Sequence, residues 1–433
     1  MKLISGWGNN PKVFCNLKYP KNLNSLKKII NKKCIARGNG RSYGDSSLQP
    51  DLTIEMKNFN KILFLNDVKG LVKVQSGLLL NDLLKVIIPK GWFVPVSPGT
   101  KFVTIGGMVA SNVHGKNHHK AGGFINYGDT ITLLNEDKKI ITCSKKINYN
   151  LFKSTFGGMG LTGIIIDITF RLKKIKNSYI DQKIFCTKDL KDTLKNLKET
   201  FKSTYSVGWI DCSKKNKNFG RSIIFAGEHN IDENKKLIYI KDKSITLPKL
   251  NYNYLLNSYS IKIFNFFYYN YNFLKKKKNI VNYNSYFYPL DSINNWNILY
   301  GKKGFFQYQF SIPEKFSFRG IKEILNLVQK NTTVSFLTTI KYMSKDSSIL
   351  AFSDKGFTLA LDFKYNLSNL NLAEKIDKLV IKYKGRIYLT KDSRINKNNL
   401  YKSYKSIKIF KKKIRTEKNK SFFSSLQSER LGL

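Results

Sequence analysis

Three glycine-rich segments and a scatter of lysines carry the residues of this chain that could do chemistry. The first segment runs Ala36, Arg37, Gly38, Asn39, Gly40, Arg41, Ser42, Tyr43, Gly44, Asp45, Ser46. Its glycines permit positive φ and let backbone N–H groups converge on an anion such as a diphosphate, while Ser42 and Ser46 add hydroxyl donors. It fits neither GxGxxG opening a helix nor GxxxxGK[ST], so a Rossmann or P-loop site is not indicated. The second segment holds Gly99, then Thr104, Ile105, Gly106, Gly107, Ser111, Asn112, Val113 and His114, and continues to His119. Small residues there let a flat ring or a diphosphate lie against the main chain. Three of the four histidines (His114, His118, His119) fall within this segment. No Asp or Glu stands close by, so we assign no metal site. The third segment, Gly157 to Gly163, leads into an apolar run. Gln307 and Gln309, placed on a strand, share one face and could present both amides to a sugar. Lysines are scattered throughout, and one brought into such a site could meet a phosphate or handle a proton, since a desolvated lysine loses its proton readily.

These residues need elements to hold them. Val72 to Ser76 alternates as a half-buried strand does, and Leu79, Leu80, Leu83, Leu84, Ile87 and Ile88 recur at helical spacing up to Pro89 and Gly91. Ile131–Leu134 and Ile140–Cys143 read as a hairpin, and Ile164–Leu172 as a strand. Beyond about residue 176 the texture turns to lysine, asparagine and aromatics. The Lys275–Lys278 run reads as a solvated loop. The aromatics from Phe264 to Tyr288 show no clean period and leave three options open: core, a substrate wall, or a surface dipping into lipid. Around Leu400 to Ile414 the sequence shows a basic helix-like pattern.

The 433 residues suggest two or three lobes at roughly 150 residues per domain, and 42% hydrophobic residues suit a folded chain. A net charge of +47 concentrates anions, yet nucleic acid, an anionic membrane, a phosphorylated substrate or plain compositional drift each satisfy it. Five scattered cysteines without CxxC argue against a disulfide framework and for a reducing compartment. The N-terminus lacks the apolar stretch of a signal peptide, and no run reaches bilayer-spanning length. The expected location is the cytoplasm or, peripherally, the inner face of the cell membrane.

The order of the three glycine segments, with GNGRSYGD, VPVSPGT, TIGGMVASNVHGKNHH, GGMGLTGI, FYPLD, GFFQYQFSIP, SFLTTIK and YLTKDSR, plus SGWG near the start and RLGL at the end, resembles the decaprenylphosphoryl-β-D-ribose 2′-oxidase family of PCMH-type FAD-binding flavoproteins. The resemblance spans the chain. It implies an α+β fold in two lobes: a PCMH-type FAD-binding domain over 1–175, a mainly antiparallel-sheet substrate (cap) domain over 176–385, and a C-terminal segment, 386–433, returning to the first. It implies FAD held by Ala36 to Ser46, Gly99, Thr104 to Gly107, Ser111 to His114, Ile165 and Tyr388. Lys391, His114 and Tyr43 would act beside the flavin ring. Lys116, Phe287, Gln307, Gln309, Lys341 and Thr358 would line the substrate pocket. Arg41 stands where relatives with covalent flavin have a histidine, so the cofactor is expected to be non-covalent.

The implied reaction oxidises the ribose 2′-hydroxyl of a polyprenyl-phospho-β-D-ribose to a ketone, the first half of epimerisation to arabinose in cell-envelope synthesis. Oxidation of an alcohol at a flavin takes a hydride from carbon and a proton from oxygen. A separate NAD(P)H-dependent reductase would complete the epimerisation, and no nucleic acid is expected. Thr358, Ala360 and Phe287 stand where family members carry asparagine, cysteine or tyrosine, which bears on the sugar rather than on the flavin. Oxidation of a soluble alditol or aldonolactone is the competing activity. A non-catalytic nucleic-acid binder is suggested by charge alone.

Overall fold

The computed structural model describes all residues except 242, 249, 251, 253, 254, 332–334 and 415–421. Its fold is a mixture of helix and antiparallel sheet, with small parallel sheets at the first glycine segment and between Ile245–Thr246 and Ile293–Asn294.

The N-terminal third builds on period-2 strands. Gly128–Leu134 and Ile140–Ser144 form the hairpin expected from sequence, and the former pairs with Ile164–Arg171. Leu71–Gln75 and Ile62–Asn66 complete a five-stranded sheet. The apolar spacing after Leu79 yields a helix at Leu80–Ile87, then a 3₁₀ turn over Ile88–Lys90 that accommodates Pro89 and stops at Gly91 (φ +81°). Leu80, Leu83, Leu84 and Ile87 are fully buried beneath the sheet with Val72, Val74, Ile131 and Ile168. Burying each such side chain contributes roughly 1.5–3 kcal/mol, which fixes the sheet against the second glycine segment. Leu17–Lys18, Thr53–Glu55 and Ile35–Arg37 form the parallel sheet, and the first glycine segment leaves the end of its outer strand.

Among the described residues, a second, eight-stranded antiparallel sheet runs in the order Lys278–Asn282, Tyr179–Thr187, Ser222–His229, Tyr205–Ile210, Thr338–Met343, Gly356–Lys364, Phe305–Pro313 and Arg386–Ile387. Helices Leu190–Glu199, Glu314–Lys330 and Leu367–Lys382 cover one face and bury Leu197, Ile324, Val328, Ile376 and Val380. That leaves the other face of its central strands for a site.

Two sequence expectations differ from what forms. The stretch from Phe264 lacks a visible period, yet Ser258–Leu274 is a helix capped by Asn257 and Ser260. Its period is blurred because the residues it buries include Asn265 and Asn272 while many of its aromatics stay outside. The basic helix-like pattern around Leu400–Ile414 resolves into two helices, Lys397–Ser403 and Ile407–Ile414. The break comes at Tyr404, whose hydroxyl is drawn inward to the Ile387 carbonyl (2.6 Å).

The C-terminal residues come back to the glycine segments. Ser424 N–H donates to the Cys34 carbonyl (3.0 Å), and the helix Leu426–Leu431 carries Arg430, which bonds both Asp45 (2.9 Å) and Asp392 (2.9 Å). Among the described residues no helix is long and apolar enough to cross a membrane.

Candidate active site

The first glycine segment is held by its neighbours rather than by its own hydrogen bonds. Trp7 and Gly8 N–H groups donate to the carbonyls of Ser42 (2.8 Å) and Tyr43 (3.1 Å), and Tyr43 N–H donates to Thr390 (3.2 Å). Asn39 Nδ2 donates to Phe102 O (2.7 Å), tying the segment to the second one. Gly40 alone among its glycines takes a positive φ (+60°). Gly44 serves a different need: a Cβ there would collide with the Asp392 carbonyl. In the second segment Thr104 caps the short helix Ile105–Ala110 by accepting from Gly107 N–H (3.2 Å).

Between these segments and the open face of the large sheet lies a cavity of about 400 Å³. Of the residues singled out from sequence, Ala36, Arg37, Gly38, Asn39, Gly40, Arg41, Ser42, Tyr43 and Ser46 line it, as do Gly99, Thr104, Gly106, Gly107, Ser111, Val113, His114, Ile165 and Tyr388. Gln307, Gln309, Lys341 and Lys391 line it from the sheet side. Arg41 Nε and Ser76 Oγ, on two lining residues, are buried without a hydrogen-bond partner among the described residues. Unmet donors in a narrow glycine-walled trough suit a ligand rich in acceptors, and FAD, with a diphosphate and a carbonyl-bearing ring, is such a ligand.

Seven of the sequence-singled residues do not line the cavity. Gly44 packs on Asp392, and Asp45 turns its carboxylate to Arg430. Ile105 is core. Asn112 bridges Asp346 (2.9 Å) and the Ile125 N–H (2.9 Å), locking the end of the second segment. Lys116 donates to the Tyr286 carbonyl and lies over the Tyr286 ring. Phe287 packs into the aromatic core with Phe93 and Tyr205. Thr358 sits behind Gln309, its hydroxyl accepting from the amide (3.2 Å) and donating to Phe310 O (2.8 Å). Cavity residues given no role from sequence include Trp7, Phe102, Asp291, Trp296 and Thr390. Trp7 and Asp291 sit inside the quoted SGWG and FYPLD strings. Trp7 carries the Arg41 guanidinium 4.0 Å above its ring, which removes Arg41 from the role of a surface cation.

At the sheet end of the cavity the titratable groups are crowded. Lys391 Nζ sits 3.7 Å over the Tyr43 ring. Burial pushes its pKa down to about 7, with Asp362 pulling up and Lys341 pushing down. Burial likewise lowers Lys341 to about 8. Asp362, pushed up to about 6 by burial, accepts from Gln307 Nε2 (2.5 Å) and from the Tyr300 hydroxyl (3.0 Å). His114 is held well below its usual pKa, first by burial and then by Lys341, so it is neutral. Its Nδ1 lies 3.0 Å from Lys341 Nζ and its Nε2 3.1 Å from the Gln309 amide. A neutral imidazole has one acceptor nitrogen. Either Gln309 therefore presents its oxygen, or Lys341 is the free amine. The ring is stacked 5.6 Å from Phe352 and faces Tyr388 at 5.0 Å, and the Tyr388 hydroxyl donates to Ser111 O (3.0 Å). The arrangement offers a base of near-neutral pKa at Lys391, a neighbouring cation at Lys341, and amides on one strand face. That set suits removal of a proton from a hydroxyl next to an anionic group.

Residues 19–144 match a family model described as an FAD binding domain. The chain is 31% identical over 386 residues to the decaprenylphosphoryl-β-D-ribose oxidase of Mycolicibacterium smegmatis, covering 86% of this chain and 83% of that protein. It is 34% identical to a D-lactate dehydrogenase of Anaerostipes hadrus, over 32% of this chain and 30% of that one. It is 27% identical to the L-gulonolactone oxidase of Mus musculus, over 34% and 33% respectively.

Proposed function

This chain belongs to the decaprenylphosphoryl-β-D-ribose oxidase family, an FAD-dependent oxidoreductase, and we propose that it oxidises the ribose 2′-hydroxyl of a polyprenyl-phospho-β-D-ribose to the ketone. The observation that carries this reading is the meeting of Lys391, Tyr43 and His114 with Gln307, Gln309 and Lys341 at one end of a glycine-walled cavity. FAD supplies the two-electron acceptor. The glycine segments would hold it, with Arg41 and Ser76 offering their unmet donors.

The chain's own residues do the rest. Lys391, near neutrality at working pH, takes the hydroxyl proton as a free amine, and Asp362 next to it favours the charge this creates. Tyr43 gives the ammonium a π face. Gln307 and Gln309 bind sugar hydroxyls from one strand face, with Asp362 and Thr358 fixing the two amides. Lys341, kept in place by His114, meets the phosphate as a point charge. The ketone product then calls for a separate NAD(P)H-dependent reductase to set the new configuration.

Anaerobic mixing of the holoenzyme with a short-chain polyprenyl-phosphoribose tests the reading: the visible flavin band bleaches. No bleaching with any chain length refutes it. Similarity to L-gulonolactone oxidase favours a second reading, oxidation of a free sugar alcohol or lactone. Bleaching by those compounds while phosphoribose is inert selects it.

A further inference from the structure

From Lys243 to Leu290 the sequence holds seven lysines and no aspartate or glutamate, together with all the aromatics from Phe264 to Tyr288 that lack a period. The helix Ser258–Leu274 at its centre is built inside out. Its inward side packs Ile261 and Tyr268, whose ring lies 5.0 Å from Trp209, and is otherwise fixed by polar groups. Asn265 Nδ2 donates to Asp211 Oδ1 (2.9 Å), and Asp211 is itself paired in the interior with Arg221 (2.9 Å). The Arg221 guanidinium lies 4.0 Å over the Tyr269 ring, and the Tyr269 hydroxyl donates to Thr187 O (3.1 Å). Its outward side carries Tyr259, Ile263, Phe266, Phe267, Tyr271 and Leu274, which recur at helical spacing along one stripe. Phe267 is 65% exposed, Tyr271 64% and Leu274 84%. A soluble helix held by its asparagines and presenting its phenylalanines to water is the reverse of what burial favours, unless something apolar covers the stripe.

Cations rim the stripe. Lys214 lies 6.0 Å from the Phe266 ring, Lys275 5.7 Å from Tyr271 and Lys277 5.1 Å from Phe273. We propose that this helix and the Lys275–Lys278 run form a docking face for an anionic lipid bilayer, the aromatics entering the acyl boundary and the lysines meeting headgroup phosphates. A second copy of the chain fits worse. An isologous contact would set the lysine rim against itself in a protein of net charge +47. An anionic surface neutralises that rim.

The face is also continuous with the cavity. Ile245–Thr246 pairs with Ile293–Asn294, and Ile293 to Trp296 line the cavity. Leu256, Ile293 and Trp296 share one apolar cluster between helix and mouth. Resting on the lipid-linked substrate reading, this gives the polyprenyl tail a route that stays in or beside the membrane while the sugar enters.

The test is flotation of the full-length holoenzyme with phosphatidylglycerol/phosphatidylcholine vesicles at low and at high salt, for the wild type and two variants. One variant carries Phe266→Ser, Phe267→Ser and Tyr271→Ser. The other carries glutamine at all four positions from Lys275 to Lys278. The wild type floats in both salts, and the aromatic variant loses roughly tenfold or more of its binding at high salt, where headgroup attraction is screened. The lysine variant loses binding mainly at low salt. A Phe267→Trp protein is quenched by brominated acyl chains. Retained flavin shows that each variant is folded. Equal flotation of the aromatic variant, or absence of quenching, overturns the proposal. So does a concentration-dependent wild-type dimer that the aromatic variant dissociates. Flotation needs no substrate, so a protein that floats but is not bleached by phosphoribose would refute the substrate reading and leave the docking face standing.

Discussion

Replacing Lys391 by methionine should raise the stability of the flavin-free protein while abolishing its chemistry. The lysine is surrounded by protein at the sheet end of the cavity, and its pKa falls from an ordinary 10.5 to about 7. In the unfolded chain it keeps the ordinary value. Because the folded state binds the proton more weakly, the penalty is complete below pH 7, where both states are protonated. It shrinks as pH rises from 7 toward 10.5 and the folded chain sheds the proton first. At about 1.4 kcal/mol per pH unit, the penalty is roughly 5 kcal/mol at pH 6 and roughly 2 kcal/mol at pH 9. These are upper bounds, since the amine faces the cavity and keeps part of its hydration there. Methionine has a similar length and no charge. It leaves Asp362 without a cation, but that carboxyl, already raised to about 6, accepts bonds from Gln307 and Tyr300 and can take a proton. The assay is thermal unfolding of the apoprotein at pH 6 and pH 9, beside anaerobic flavin reduction by the holoprotein. A Tm gain that is larger at pH 6, with reduction slowed roughly 10²–10⁴-fold, is expected. A lower Tm at both pH values, or an unchanged reduction rate, refutes the reasoning that this lysine is kept at a cost in stability for proton transfer.

Three further outcomes follow from the same geometry. Flavin reduction should rise with pH through about 7 as Lys391 becomes the free amine, and saturation by phosphoribose should weaken above about 8 as Lys341 loses its charge; a flat profile measured by stopped flow contradicts both assignments. Arg430→Met strands the buried carboxylates of Asp45 and Asp392, which should cost roughly 3 kcal/mol by denaturant unfolding, with Arg430→Lys recovering part of it; an unchanged midpoint would show that the C-terminal helix does not hold the two site segments together. Arg41 cannot form a covalent flavin link, so acid precipitation should leave the yellow colour in the supernatant, and colour retained on the pelleted polypeptide would contradict this.

Sequence reading went furthest where one residue type answers to one physical demand. The helix before Pro89 and the hairpin around residue 137 carry periods of 3.6 and 2 that only one structure satisfies. Gln307 and Gln309 reach the cavity because alternation on a strand admits nothing else. Reading failed where a side chain's partner lies far along the chain. Asp45 looks like part of the glycine segment, but Arg430, 385 residues on, turns it away from the cavity. Asp362 escaped notice because a lone carboxylate in a β-rich run carries no local signal; only the register Gln307 to Asp362 brings it beside Lys391. Trp7 stands in SGWG, but its role is set only by Arg41, whose guanidinium lies over its ring.

The lysines show why composition alone misleads. A charge of +47 reads as one property, yet the chain divides it. Lys341 and Lys391 have depressed pKa values within the cavity, so they contribute little to the external field and a great deal to the site. Lys275 to Lys278 follow an outward-facing aromatic helix and belong to the surface. The two groups differ in their sensitivity to salt. Screening weakens the exposed run over a Debye length of about 8 Å at physiological ionic strength but hardly reaches the enclosed pair. Raising salt should therefore weaken binding to anionic vesicles by its lysine-dependent part, leaving the aromatic-dependent flotation, at concentrations that leave flavin reduction by a detergent-dispersed substrate intact. Were both to fall together, the internal and external lysines would have to be one electrostatic system, and the separation of cavity from docking face would be wrong.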